Sequence, residues 1–292
     1  MKEIRIRLVD LHVHSTASDG TCAPEALAEQ GRSFALMALT DHDTCGGTRA
    51  FLDASRRLGV TAPRWAGVEL SVEPGTGYGK FHLLGLGINP DAPSLTTFLD
   101  EIRDGRNARN MVILQKLQEL GLRIALADAQ KFSDGRILAR PHFARALVEK
   151  GYATSVLDAF EKFLGDGKPA YVDRYRPTPE AAIAAIHRAG GLAVMAHPRY
   201  WASDPAALRT GLARLKDVGL DGVEAIYEAN QLGETVDHLM AAHALGLLVT
   251  AGSDFHGANK PTISLGMDVG DEEAFIAPLL ARHAELQAAA EC

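Results

Sequence analysis

Val9-Asp10-Leu11-His12-Val13-His14 is the stretch on which the reading of this chain turns. Side chains alternate faces along a strand, so Asp10, His12 and His14 point one way while Val9, Leu11 and Val13 point the other. Two inward imidazoles at the end of a buried strand are a ready pair of ligands. A lone His-x-His is a weak signal, but related patterns recur downstream. A second apolar run ends in Thr40-Asp41-His42-Asp43, and a third holds Glu69 between Val68 and Leu70. A fourth opens with His82, a later one ends in His197-Pro198, and another ends in Ser253-Asp254-Phe255-His256. Carboxylates set into apolar runs are costly unless paired or metal-bound.

Working outward, apolar runs predict strands over 4–11, 34–39, 65–70, 81–87, 192–196, 222–227, 247–251 and 263–269. Helix signals lie between many of them. Pro24 stands in a first turn, and Thr178-Pro179-Glu180 opens a segment that stops at Gly190-Gly191. Strands alternating with helices imply parallel βα units and a closed or nearly closed α/β barrel, in which the C-terminal strand ends share one mouth. His82 is the awkward member, because it starts its strand. Either that strand runs antiparallel or its boundary lies elsewhere.

The rhythm breaks between 91 and 176, where helical stretches over 94–120, 141–150 and 155–163 replace strands. We read 91–176 as a helical insertion (a lid or substrate domain over the mouth) in a barrel formed by 1–90 and 177–292. The plainer alternative is a set of helices packed on the outside.

The 292 residues, 47% of them hydrophobic, suffice for one large core carrying an insert. A net charge of -7 argues against broad binding to polyanions. No apolar segment reaches the ~18 residues of a membrane span, and the N-terminus lacks a signal-like core. Cys22, Cys45 and Cys292 form no CxxC pair, which suits a reducing compartment. A cytoplasmic protein without a membrane contact or an obligate protein partner is expected.

The motifs DLHVHSTASDG at 10–20, LTDHDT at 39–44, GVE at 67–69, His82, AHP at 196–198 and SDFH at 253–256 resemble those of the PHP (polymerase and histidinol phosphatase) phosphoesterases. The resemblance implies a distorted (β/α)7 barrel (the PHP fold) binding two or three divalent metals. It implies one metal on His12, His14, Glu69 and Asp254, and a second on bridging Glu69 with His82 and His197. A third falls to Asp19, His42 and His256, although many relatives have histidine where Asp19 stands. Mixed imidazole and carboxylate donors without thiolate suit Mn²⁺, Fe²⁺ or Zn²⁺, and oxygen-rich clusters lean toward Mn²⁺. Such ions generate hydroxide near neutral pH and clamp phosphoryl oxygens, so no Ser or Cys nucleophile is needed. His12, His14, Glu69 and Asp254 are thereby the catalytic set. Asp10, Asp41 and Asp43 are expected to orient the imidazoles, with Asp43 nearest the site.

For substrate, Arg103, Arg106, Asn107 and Asn110 share one helical face, which is either a phosphate-contacting or a solvated face. Arg140 and His142 open a helix whose amides favour an anion. Lys168, in a Gly-Asp-Gly-Lys turn, and Arg199, beside His197, are the other candidates. His187, His238, His243 and His283 are read as packing or surface residues, and 75–79 as a flexible turn. The resemblance is to short stand-alone members acting on small phosphorylated nucleotides. It implies release of the 3′-phosphate from nucleoside 3′,5′-bisphosphates such as pAp. The alternatives are 5′→3′ trimming of short 5′-phosphorylated RNA oligonucleotides, histidinol phosphate hydrolysis, or a non-catalytic metal-binding PHP module.

Overall fold

Among the described residues seven strands, mostly buried and rich in apolar side chains, pair in sequence order in one sheet. The computed structural model describes residues 8–133, 138–173 and 175–290. The strands are β1 (Val9–Asp10), β2 (Leu36–Leu39), β3 (Arg64–Val72), β4 (Phe81–Leu86), β5 (Leu192–Met195), β6 (Gly222–Tyr227) and β7 (Leu248–Gly252). β1 to β3 are mutually parallel, as are β5 to β7. β4 is antiparallel to both its neighbours. Its first residues therefore lie at the same end as the last residues of the other strands, which resolves the awkward position of His82.

The sheet closes between its first and last strands. Leu11 N–H donates to the Ala251 carbonyl at 3.0 Å, and Asp254 N–H to the His12 carbonyl at 2.8 Å. The result is a nearly closed α/β barrel with seven strands. One expectation needs correction. Residues 263–269 form no strand; Met267 makes only an isolated antiparallel bridge to Val9. The first expected strand began at residue 4, but residues 1–7 lie outside the described residues, and the regular strand seen is Val9–Asp10. The helical stretch expected over 155–163 is present, as an α-helical turn, Val156–Ala159, that runs on into a π-helical turn, Phe160–Leu164, closed by Gly165 N–H on the Phe160 carbonyl.

Helices cover the barrel. α1 (Pro24–Gln30) and α2 (Thr48–Arg57) bury Leu27, Ala28, Phe51 and Ala54 against Val13, Met37 and Leu39. α3 (Pro93–Glu119), α4 (Leu126–Gln130), α5 (Arg140–Glu149) and α6 (Val156–Ala159) belong wholly or mostly to the middle of the chain. α7 (Pro179–Arg188) starts where expected, with Thr178 Oγ1 accepting from Ala181 N–H. α8 (Pro205–Asp217), α9 (Leu232–Leu245) and α10 (Glu272–Ala290) follow. α10 sets Ile276, Leu279 and Leu286 into the core formed by Leu84, Leu86, Leu192 and Val194.

The chain divides into two compact units, one of Met1–Phe98 with Pro177–Cys292 and one of Leu99–Arg176. The second has a core of its own. There Ile113 and Leu117 of α3 pack with Phe143 and Leu147 of α5 and with Leu164.

Candidate metal centre

Every strand end predicted to carry a ligand carries it into one place. Glu69, on β3, is the hub. Its Oε2 lies 3.3 Å from His12 Nε2, 3.2 Å from His14 Nε2 and 2.8 Å from His42 Nδ1. Its Oε1 lies 2.6 Å from His82 Nδ1 and 3.0 Å from His197 Nε2. Asp254 Oδ1 stands 3.3 Å from His14 Nε2, 3.6 Å from His12 Nε2 and 3.3 Å from His256 Nδ1. Asp19, exposed on the loop after His14, reaches His256 Nε2 at 3.2 Å and His42 Nε2 at 3.7 Å. The donor atoms fall into four overlapping groups: His14, Asp19, His42 and His256; His12, His14 and Asp254; His12, Glu69 and His197; and His42, Glu69 and His82.

Backbone strain accompanies this convergence. Among the described residues, the non-glycine residues with positive φ are Asp43 (50°), His197 (27°) and Asp254 (57°). Each follows a barrel strand at the mouth. Sparsely populated backbone conformations persist only where the surroundings enforce them, and they cluster at functional sites.

Charge is tightly balanced. Burial, the largest influence on Glu69, would raise its pKa, yet attraction from His42, His82 and His12 holds it well below the carboxylate range. Burial likewise works against charge on His12, but Glu224, Glu69 and Asp254 together push its pKa well above the usual value. For His82 burial wins, and its pKa falls to about 4.

Whether these residues fit divalent cations is answered by what the donor atoms fail to do. His12 Nε2, both ring nitrogens of His14, His42 Nδ1 and Glu69 Oε2 are buried and make no hydrogen bond. Several of them lie at ion-pair distance from one another, and the donor atoms of each candidate group fall within 4.8 Å. Buried polar groups are normally hydrogen-bonded, whereas imidazole and carboxylate donors clustered this closely suit a bound ion. The donor set, imidazole and carboxylate without thiolate, matches first-row divalent metals. The residues fit.

Comparison with known proteins agrees with the geometry. The PHP domain family model matches residues 10–166. A 3′,5′-nucleoside bisphosphate phosphatase of Chromobacterium violaceum is 34% identical over 91% of this chain and 91% of its own length. The chain belongs to the PHP family. A 5′-3′ exoribonuclease of Escherichia coli is also 34% identical, over 89% of this chain and 88% of its own. A solved structure of an amidohydrolase from Chromobacterium violaceum, with bound sulfate and no metal, superposes with a TM-score of 0.76 at 33% identity. It covers 94% of this chain and 96% of that one. A structure from Bifidobacterium adolescentis, assigned as a metal-dependent phosphoesterase, superposes with a TM-score of 0.75 at 30% identity and the same coverage. This PHP-domain protein is a metal-dependent phosphoesterase.

The carboxylates expected to support the site fix the backbone around its ligands. Asp10 accepts from Ser253 N–H and Oγ–H and from Gly266 N–H, tying β1 to the segment after β7. Burial, only partly offset by these bonds, pushes its pKa up to about 6. Asp41 accepts from Ser15 N–H, Ser15 Oγ–H and Ser18 Oγ–H, fixing the loop that carries Asp19. Asp43 accepts from Ser71 N–H at 3.0 Å. Glu224 on β6, not singled out from the sequence, holds an imidazole from behind: its Oε1 lies 3.0 Å from His12 Nδ1. Tyr227 and Lys260, neither singled out from the sequence, both donate to Asp254 Oδ2, at 3.0 and 2.5 Å.

Of the substrate candidates, Arg199 is in the barrel unit. It pairs with Glu234 at 3.5 Å, and its guanidinium lies over the Tyr200 ring. The others lie in the second unit. Arg103 is exposed and pairs with Asp100 of its own helix, whereas Arg106 is buried. The proposed uniform face is therefore mixed, because Asn107 is exposed while Asn110 is buried and donates to the Leu138 carbonyl. Arg140 is engaged within the insertion by the Leu164 carbonyl, Asp166 and the rings of Phe160 and Tyr171. His142 Nδ1 accepts from Ala139 N–H at the start of α5. Lys168 is exposed. At the end of the 75–79 segment Tyr78 stacks on Trp201, and Gly79 N–H donates to the Trp201 carbonyl.

Proposed function

We propose that this protein releases the 3′-phosphate from nucleoside 3′,5′-bisphosphates, with His12, His14, Asp19, His42, Glu69, His82, His197, Asp254 and His256 holding two or three divalent ions, Mn²⁺ foremost and Fe²⁺ or Zn²⁺ as substitutes. The observation that carries the metal reading is the crowd of buried, unbonded donor atoms around Glu69. Bound ions would polarise the phosphoryl oxygens and supply hydroxide near neutral pH. The substrate reading rests on the bisphosphate phosphatase relative, matched over nearly the whole of both chains.

The chain's own residues would then bind and orient. The Lys260 ammonium, beside Asp254 at the edge of the cluster, is suited to meet a phosphoryl oxygen there. Arg199, held between Glu234 and Tyr200, offers a second cation near His197. In the insertion, Arg103, Arg106, Arg140, His142 and Lys168 are the candidates for the 5′-phosphate. Free thiols at Cys22 and Cys45 fit a cytoplasmic setting. Among the described residues no helix is long and apolar enough to cross a membrane.

The exoribonuclease relatives favour a second reading, removal of nucleotides from short 5′-phosphorylated RNA. The two are separated by offering pAp and a 5′-phosphorylated trinucleotide to the Mn²⁺-loaded protein. Phosphate release from pAp supports the first reading. Nucleotide release from the trinucleotide, with pAp left intact, replaces it by the second.

A further inference from the structure

β6 carries none of the motif ligands, yet it delivers two side chains to the site. Its pairing with β7 shifts register: Glu224 lies opposite Thr250, but Ile226 rather than Ala225 lies opposite Ala251. One extra residue on one strand is a β-bulge, a feature that re-aims side chains and recurs beside active sites. In a regular strand Glu224 and Tyr227, three residues apart, would face opposite sides. Across the bulge both reach the cluster, Glu224 to His12 and Tyr227 to Asp254.

Glu224 is fully buried, and both of its oxygens are committed. Oε1 lies 3.0 Å from His12 Nδ1, and Oε2 accepts the His197 backbone N–H at 2.7 Å. It belongs to none of the candidate ligand groups. An ionised carboxylate accepts but does not donate, so in the neutral ring that a metal requires, Nδ1 of His12 carries the proton. The Nε2 lone pair of that tautomer lies on the side of Glu69 and Asp254, and Nε2 is an atom without a hydrogen bond. The second oxygen holds His197 by the backbone at its strained φ of 27°. Gly252 on β7 makes room for the arrangement, since a Cβ there would collide with Glu224 Oε1 and with His12 Cβ.

We infer that Glu224, aimed by the β6 bulge, is the positioning residue that sets the tautomer of His12 and anchors His197 for metal binding. The inference rests on the metal reading above. Its role is through two ligands of different strands and not through contact with substrate.

The test compares wild type with Glu224→Gln, which keeps the shape but cannot accept at both positions. Two readouts are needed. One is Mn²⁺ affinity by chelator competition; the other is the ring ¹⁵N and ¹H spectrum of the metal-free, histidine-labelled protein. We expect affinity to fall by about 10- to 100-fold, as for other residues that orient a liganding histidine. We also expect a hydrogen-bonded Nδ1–H signal in wild type that is lost or moved in the variant. Unchanged affinity overturns the inference, and so does an unchanged ring signal. If wild type itself binds no Mn²⁺, the metal reading fails separately, and the role assigned to Glu224 toward metal falls with it. Should Glu224→Gln not fold, Glu224→Asp, which withdraws the carboxylate by one methylene, is read in the same two assays with the same criteria.

Discussion

Asp254 divides its two oxygens between different tasks. Oδ1 faces His12, His14 and His256, while Oδ2 accepts from Tyr227 and Lys260. The histidines hold its carboxyl well below the usual range despite burial, which acts in the opposite sense and is the largest single influence. Asp254→Asn keeps the shape but removes the charge, and it should lower kcat on pAp by several orders of magnitude with Mn²⁺ present. Steady-state phosphate release measures this; near-normal turnover would contradict the assignment. Gly252→Ala should weaken Mn²⁺ binding by about 10-fold or more, because the added methyl displaces Glu224 or His12. Chelator competition reads it, and wild-type affinity in the variant would argue against the packing described. Eight of the nine motif positions were legible as titratable residues in or beside apolar runs, whereas Asp19, on an exposed loop, came only from the resemblance to the PHP family. Glu224, Tyr227 and Lys260 were not legible. A period-two reading of Gly222-Val223-Glu224-Ala225-Ile226-Tyr227 cannot contain a bulge, and Lys260 reads as any surface lysine.

The elements around the site are secured by polar clamps as much as by apolar packing. At the far side of the β5–β6 pair, Asp221 accepts from Ala193 N–H of β5 at 2.9 Å, pairs with His187 of α7 at 2.7 Å and with Arg282 of α10 at 2.9 Å. Asp221→Ala should cost about 2–3 kcal/mol for these charge-assisted bonds, kept at the low end because His187 and Arg282 are partly exposed. That corresponds to a Tm lower by roughly 3–5 °C for a chain of this size. Although burial raises the Asp221 pKa, His187, Ala193 N–H and Arg282 lower it below its ordinary 3.8. Its stabilisation is therefore present above pH 3.8 and lost as pH falls through the lower folded value. The gap between wild type and variant should shrink in acid, and a gap that widened there would contradict the sign. At this scale β4 was half legible: His82 at a strand start pointed to an antiparallel strand, but only the pairing decides it. The expected strand over 263–269 failed because an alternating apolar pattern does not supply a partner. That segment meets β1 through a single bridge at Met267.

For the whole molecule, the net charge of -7 coexists with a cluster rich in acidic and imidazole donors. Ions that bind the folded state alone raise its apparent stability, so chelation should lower Tm and re-addition of Mn²⁺ should restore it. A Tm indifferent to chelator would count against resident metal. The barrel and the break in its rhythm were readable from where strands give way to helices. The structure separates Leu99–Arg176 as a compact unit with its own core, but the use of its basic residues was not readable, since arginines serve internal bonds as readily as ligands. Arg140 shows this, with its carbonyl, carboxylate and two ring partners all inside that unit. The central claim, that distant side chains assemble to hold a cluster of cations, is tested most directly by counting bound metal. After saturation with Mn²⁺ and removal of the excess, elemental analysis should find about two or three ions per chain. A count of about one or none, with iron and zinc giving no more, would contradict it.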